Sequence, residues 1–270
     1  IVYQSKRADR HRFFLEKLIS ENKAYISKEE GENLRKEVIR FRNPGKVVSF
    51  QDEIRGLVTI DTSDLGDFVI AKSLDEPVFH LAVVVDDFEN GVTEVIRGED
   101  HISNTPRHIL IQEAIGAPTP VYAHLPLVLA PDRSKLSKRR GALAITEYRD
   151  RGYLPEAVFN YMAMLGWNPG TSQEIFTKEE LINSFKLNKV QKGGAIFDQV
   201  KLDWFNREFI KKQEPEEQLS YLKKFLKERT LLLVKDQEVR LRQILPLILE
   251  RVNNYQEAGE LIEAGTFDFF

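Results

Sequence analysis

The stretch Asp132-Arg133-Ser134-Lys135-Leu136-Ser137-Lys138-Arg139-Arg140-Gly141 sets five cationic side chains around two serine hydroxyls, just after an apolar run. A phosphoryl or nucleotidyl transition state spreads negative charge over several oxygens, so ammonium groups placed against it stabilise it more than the ground state. Lys135 and Lys138 are three apart and on a turn or short helix would face one anion, with Ser137 and its backbone N–H as further donors. A solvated basic loop is the plain alternative. The second residue with chemical potential is Arg97, which closes a short, mostly apolar run. A guanidinium left buried and unpaired is costly, so it requires a partner, and a carboxylate would provide one. An internal ion pair with Glu99 or Asp100 is the competing explanation.

These residues need elements to hold them. Residues 92–97 read as a strand, Asn104-Thr105-Pro106 as a helix start with proline at the first helical position, Gly116 as its end, and residues 121–129 as a returning strand. Strand, helix, strand is the unit of a doubly wound sheet, whose ligands sit at the carboxyl ends of the strands. Arg97 and the basic loop both fall at such ends. The continuous apolar run 81–85 is expected to be a strand buried on both faces of the same parallel sheet. Asp86 and Asp87 then form its terminal turn rather than a metal site, because adjacent strand residues point to opposite faces.

Before this region, residues 5–26 carry Phe14, Leu15, Leu18 and Ile19 at helical spacing, and residues 29–37 suggest a second, highly charged helix. Short β-branched runs at 38–42, 47–52, 57–62 and 68–72, separated by Asn43-Pro44-Gly45, Gly56 and Gly66, predict a small α+β insert. After the loop the pattern turns helical. Pro155 opens a run that stops at Gly166, Thr177-Lys178-Glu179-Glu180 makes a capping box ahead of Leu181 and Phe185, and Leu202, Phe205 and Phe209 mark a third helix. Two amphipathic helices fill residues 214–253, with Pro246 expected to kink or delimit the second.

Composition sets outer limits. The chain has 270 residues, 42% of them hydrophobic and 30% charged, with a formal net charge of −3. That length accommodates two domains with substantial cores. No overall basic excess advertises nucleic acid, so such contacts would come from local patches. Without cysteine there is neither a disulfide nor a thiolate zinc site, and the five histidines lack the spacing of a structural metal site, so no zinc is expected. A cytoplasmic setting fits, and no apolar run has the length to span a bilayer.

The loop core Lys135-Leu136-Ser137-Lys138-Arg139 resembles the Lys-Met-Ser-Lys signature of class I aminoacyl-tRNA synthetases, with Leu for Met. The run from Val92 through Arg97-Gly98-Glu99-Asp100-His101-Ile102-Ser103-Asn104-Thr105-Pro106-Arg107 is similar to the bacterial-type glutamyl-tRNA synthetases in particular. Phe79-His80-Leu81-Ala82, Pro126-Leu127-Val128-Leu129, Leu165-Gly166-Trp167 and Lys201-Leu202-Asp203-Trp204 extend the likeness to about Ile210.

The resemblance implies an α/β fold: the second half of a Rossmann-like nucleotide-binding domain (79–133), preceded by an acceptor-stem insert (1–78). The basic loop and a helical stem-contact region (134–210) follow, then the start of a helical anticodon-binding domain (211–270). It implies a glutamate–tRNA ligase that forms glutamyl-adenylate from ATP and L-glutamate and transfers the acyl group to tRNA(Glu). Magnesium would accompany ATP, and the intact enzyme would be a monomer. Lys135, Ser137, Lys138 and Arg139 become catalytic, Arg97 and Phe79 bind glutamate, and Asp100, Val128 and Lys138 contact ATP. Arg35, Lys36, Arg40, Arg42 and Lys46 become candidates for tRNA phosphate contacts. The family usually has tyrosine at the position of Phe79, so one hydroxyl of the amino-acid pocket is missing. The family's His-x-Gly-His segment is not among the five histidines, which leads to the expectation of a fragment, inactive alone, lacking the amino-terminal half of the active site. A paralogue that glutamylates a modified tRNA base and a non-catalytic tRNA-binding module are the alternatives. In the favoured case the basic loop and Arg97 converge on one cleft.

Overall fold

The computed structural model describes residues 1–29, 37–137, 143–228 and 235–265. The chain divides into two compact units, Ile1–Leu125 and Pro126–Phe270. The first contains α1 (Ala8–Ser20), β1 (Ala24–Lys28), β2 (Glu37–Phe41), β3 (Val47–Asp52), β4 (Gly56–Asp61), β5 (Phe68–Ser73), β6 (Glu76–Pro77), α2 (Phe79–Glu89), β7 (Glu94–Gly98), α3 (Thr105–Ile115) and β8 (Val121–Leu125). Four of these strands form an antiparallel sheet in the order β1-β2-β5-β6, and the others form a mixed sheet in the order β4-β3-β8-β7.

The strand–helix–strand unit around Arg97 is present. β7 and β8 run parallel, with Arg97 opposite His124, and α3 connects them. Pro106 lies in the first turn of α3, where its missing N–H costs nothing, and Gly116 ends the helix in the left-handed region at φ 81°. The four β-branched runs before residue 78 are strands, as their patterning predicts. β3 pairs with β8 as well as with β4, so strands from either side of residue 78 share one sheet.

Four expectations are corrected here. Residues 81–85 are not a strand but the middle of α2, with Leu81, Val84 and Val85 buried in the core. A short apolar run satisfies both periods. Here 81, 84 and 85 follow the i, i+3, i+4 spacing of a helix, and burying each contributes about 1.5–3 kcal/mol. Asp86 and Asp87 are therefore helical rather than a turn. Asp86 accepts hydrogen bonds from Gln4 (2.9 Å) and Arg7 (2.6 Å) and pairs with His11 Nε2 at 2.9 Å. The first helix is also shorter than its apolar pattern suggests. Asn22 takes the left-handed conformation at φ 57°, and the amides of Asn22 and Lys23 bond back to Ile19 and Leu18, a Schellman closure that releases residues 24–28 as β1. Finally, the run 121–129 is broken: β8 ends at Leu125, before Pro126, which has no N–H for a ladder. The predicted helix over 29–37 lies almost wholly outside the described residues, and Glu37 opens β2.

The second unit contains β9 (Val128–Leu129), α4 (Ile145–Asp150), α5 (Pro155–Met164), α6 (Lys178–Ser184), β10 (Ala195–Ile196), α7 (Gln199–Lys212), α8 (Pro215–Glu228), α9 (Lys235–Leu249) and α10 (Tyr255–Glu263). The capping box at Thr177 forms reciprocally with Glu180. Leu219, Leu222 and Leu226 of α8 pack with Leu241, Leu245 and Ile248 of α9. Pro246 does not delimit α9, which continues to Leu249, and α10 is an element that the sequence pattern does not announce. Gly152, at φ 76°, lets the α4–α5 connection press on α10: a Cβ there would stand 2.7 Å from Tyr255 Cβ. Among the described residues no helix is long and apolar enough to cross a membrane.

Candidate functional site

Arg97 stands at the carboxyl end of β7 in the first unit and is half-buried. Its Nε donates to His124 Nε2 at 3.1 Å, Nη1 to His108 Nδ1 at 3.1 Å, and Nη2 to Thr105 Oγ1 at 2.8 Å and, weakly, to the His101 carbonyl at 3.5 Å. Among the described residues none of these bonds ends on a carboxylate. The competing explanation, an internal ion pair with Glu99, does not form there, since Glu99 pairs with Arg55 instead. A guanidinium carries five N–H groups. Three are held firmly, leaving one on Nη1 and a loosely engaged one on Nη2, an end that fits the two oxygens of a carboxylate. Burial lowers the Arg97 pKa, with only partial relief from Tyr122, Asp87, Asp100 and Asp52, so an incoming anion would complete the charge balance.

The partners of Arg97 fix their own proton positions. An arginine only donates, so His124 Nε2 and His108 Nδ1 must both accept. His124 Nδ1 then carries its proton and donates to Asp52 Oδ2 at 2.6 Å, while His108 Nε2 donates to His80 Nδ1 at 3.1 Å. Both imidazoles are neutral. Burial pushes the His108 pKa down to about 2, reinforced by Arg97, and burial likewise lowers that of His124 despite Asp52. Asp52 and His124 are fully buried. Burial alone would raise the Asp52 pKa, but the amide of Arg55, the His124 ring and the amides of Ile54 and His124 outweigh it and hold the group ionised. Asp52, Thr105, His108 and His124 were not singled out in the sequence. The only signal was a histidine inside an apolar strand run, which needs a partner that the sequence does not name.

Phe79 is the first residue of α2 and 47% exposed, with its ring centroid 5.5 Å from His101 and 5.6 Å from His108. It is therefore a surface aromatic beside the Arg97 group, not a core ring. Asp100 is exposed in the 3₁₀ turn Glu99–Asn104, its carboxylate folded over Gly98, where a Cβ would meet Oδ1 at 2.6 Å. Asp87 is half-buried and its pKa is raised by burial, against the pull of Arg97.

Val128, Lys135 and Ser137 belong to the second unit. The chain turns back after β9: Arg133 adopts φ 64°, the Ser134 amide bonds to Asp132 Oδ1, Lys135 bridges Leu129, and the Leu136 amide reaches the Val128 carbonyl at 2.9 Å. Lys135 and Ser137 are thus exposed on the returning limb of a hairpin. Lys138 and Arg139 lie outside the described residues, as do Arg35 and Lys36. The other candidate phosphate contacts have internal partners: Arg40 pairs with Glu29 at 2.8 Å, Arg42 lies over the Tyr25 ring at 4.4 Å, and Lys46 pairs with Glu113 at 2.6 Å. A cavity of about 730 Å³ in the second unit is walled by Tyr148, Tyr153, Phe159, Tyr221 and Tyr255, and neither Val128, Lys135 nor Ser137 lines it. No group of three or more His, Asp or Glu side chains among the described residues could hold a metal ion.

Comparison with known proteins bears on this arrangement. Residues 35–204 match the family described as tRNA synthetases class I (E and Q), catalytic domain. The chain is 50% identical over 181 residues to a glutamate–tRNA ligase of Carboxydothermus hydrogenoformans, covering 67% of this chain and 38% of that protein. It is 39% identical over 287 aligned positions to glutamate–tRNA ligase 1 of Caldanaerobacter subterraneus, covering 93% and 60%. The crystal structure of a glutamate tRNA ligase from Elizabethkingia meningosepticum in complex with its amino acid superposes with a TM-score of 0.83 at 30% identity, covering 94% of this chain and 62% of that one. The chain thus spans from 38% to 60% of the length of these two curated relatives. With the family match covering more than half of its residues, including β7, Arg97 and the basic loop, the chain belongs to the catalytic-domain family of class I tRNA synthetases for E and Q.

Proposed function

We propose that this chain is part of a glutamate–tRNA ligase, and that Arg97 is its receptor for the side-chain carboxylate of glutamate. The observation that carries this reading is the guanidinium at the end of β7, held by neutral imidazoles and a hydroxyl with two N–H groups left for a carboxylate. An amide side chain offers one acceptor and one donor to that end, so glutamine would set N–H against N–H. Phe79 would flank the bound amino acid with its ring and no hydroxyl.

In this reading the α-carboxylate of glutamate attacks the α-phosphorus of ATP in line, the bond to the bridging oxygen breaks, and pyrophosphate leaves. A terminal ribose hydroxyl of tRNA then attacks the acyl carbon and releases AMP. Catalysis rests on positioning and charge neutralisation, without a covalent enzyme intermediate. Lys135, Ser137, Lys138 and Arg139 neutralise the phosphates, Asp100 and the Val128 backbone contact the nucleoside, and magnesium arriving with ATP would add further charge neutralisation. The acceptor-stem insert (1–78) and the second half of the nucleotide-binding fold (79–133) share the β4-β3-β8-β7 sheet, followed by the stem-contact (134–210) and anticodon-binding (211–270) regions. Arg40, Arg42 and Lys46, with Arg35 and Lys36, reach tRNA phosphates. Exposed pairs such as Lys46–Glu113 contribute about 0.2–1 kcal/mol, little enough to be exchanged for a phosphate. The protein works as a cytoplasmic monomer.

The test is ATP–pyrophosphate exchange by the full-length protein with tRNA and each of the twenty amino acids. Exchange with glutamate, and loss of it in Arg97→Ala, is the expected result. Binding of tRNA without exchange would instead make the protein a non-catalytic tRNA-binding module.

A further inference from the structure

We propose that the buried pair Asp52–His124 is a positioning device for Arg97 that sets the choice of glutamate over glutamine. The idea rests on Arg97 being the glutamate receptor. Neither residue would touch the substrate. Asp52, at the end of β3, receives hydrogen bonds from the amides of Ile54 (3.0 Å), Arg55 (2.8 Å) and His124 (3.1 Å), which fix its carboxylate as an ionised acceptor. That carboxylate takes the Nδ1 proton of His124 at 2.6 Å and leaves Nε2 as a bare lone pair, which accepts from Arg97 Nε at 3.1 Å. The chain Asp52–His124–Arg97 has one consistent set of proton positions. It aims the guanidinium by its Nε edge, so that one N–H on Nη1 and the loosely engaged one on Nη2 face an incoming carboxylate.

The reach of the device is what makes it informative. Asp52 comes from β3, 45 positions before Arg97, and its strand meets the Arg97 strand only through β8. Thr105 and His108, on α3, hold the other edges of the same guanidinium. Three separate elements thus over-determine one side chain, as expected where a small misplacement of a binding group is expensive.

Asp52→Asn tests the idea with minimal change of shape. Its oxygen, in the place of Oδ1, keeps the amides of Ile54 and Arg55 and the longer 3.3 Å contact from the His124 amide, but its NH₂ faces His124 Nδ1 and donates, so the ring must carry its proton on Nε2 and set N–H against N–H at Arg97. In exchange assays of the full-length protein with tRNA present, KM for glutamate should rise about 10- to 100-fold. KM for ATP should stay within about twofold, and the preference for glutamate over glutamine should shrink. Long-range ¹H–¹⁵N correlation of ¹⁵N-histidine-labelled protein should show the His124 tautomer reversed. A purely structural role would lower stability without reversing the tautomer or separating the two KM values. If Arg97→Ala raises KM for glutamate and Asp52→Asn does not, the positioning device is refuted while the receptor stands. If Arg97→Ala leaves KM unchanged, the receptor reading itself falls. Should Asp52→Asn fail to fold, the unsubstituted protein still decides: a His124 ring protonated on Nε2, or on both nitrogens, overturns the proposal.

Discussion

The two groups of site residues are built in opposite ways. Arg97 is held on three edges by side chains from β8 and α3, two of them backed in turn by Asp52 and His80. Lys135 and Ser137 sit exposed on the returning limb of a hairpin whose order comes from backbone bonds to β9 and from the Asp132 turn. The difference follows from what each is proposed to do. Telling a carboxylate from an amide requires donors fixed before the ligand arrives, since a mobile arginine would turn to suit either. Neutralising a triphosphate requires charge that can follow the phosphates as bonds change, and long exposed lysines provide it without a buried scaffold.

Four experiments would break or sharpen this contrast. Arg97→Ala should have the largest effect, a loss on the order of 10³ in kcat/KM for glutamate, since truncating one partner of a desolvated charge pair costs about 2–5 kcal/mol. An equal loss in ATP affinity would mean that Arg97 is not confined to the amino acid. Lys138→Ala should reduce single-turnover adenylate formation by about 10²–10³ while leaving the unfolding transition in place. Unchanged adenylation would remove the loop from the chemistry.

Acid should act on the rigid site first. His108 is neutral in the folded state with a pKa near 2, against an ordinary value of 6.5, so the unfolded chain binds the extra proton as pH falls through 6.5. Stability contributed by keeping the ring neutral is present above that pH and drops by about 1.4 kcal/mol per pH unit below it. His80 and His124, whose pKa values are also lowered, act in the same direction. Urea midpoints at pH 7.5 and 5.5 should differ accordingly, and His108→Gln should flatten the slope. A wild-type midpoint that does not move would contradict the buried neutral imidazole. The smallest effect is expected from Phe79→Tyr, which restores the hydroxyl usual in the family. A single hydrogen bond contributes about 0.5–1.5 kcal/mol, so KM for glutamate should fall roughly two- to tenfold. No change would indicate that the exposed ring does not contact the amino acid.

Elements with strong local signals were legible in the sequence. The capping box at Thr177, proline in the first turn and Gly116 at the end of α3, and the short β-branched runs of β2 to β5 set off by turn residues each encode their structure within a few residues. The errors arose where local information is degenerate. The run 81–85 satisfies a buried strand and a buried helix equally until its neighbours are known, and Asn22 stops α1 through a backbone conformation that an apolar count does not register. The same division holds at the site. Motif spacing marks Arg97 and the basic loop, but nothing within 40 residues of Arg97 in either direction points to Asp52, which the sheet order brings to His124.

Sequence by itself therefore determined which side chains carry charge, where α3 begins and ends, and the family to which the chain belongs. These depend on residue type and short-range spacing, which the chain states directly. Tertiary structure alone decided that residues 81–85 are helical, that strands from both sides of residue 78 share a sheet, and that Arg97 is gripped by neutral imidazoles rather than by a neighbouring acid. Each of those outcomes is a pairing between distant segments, settled by which buried polar groups find partners when the core closes.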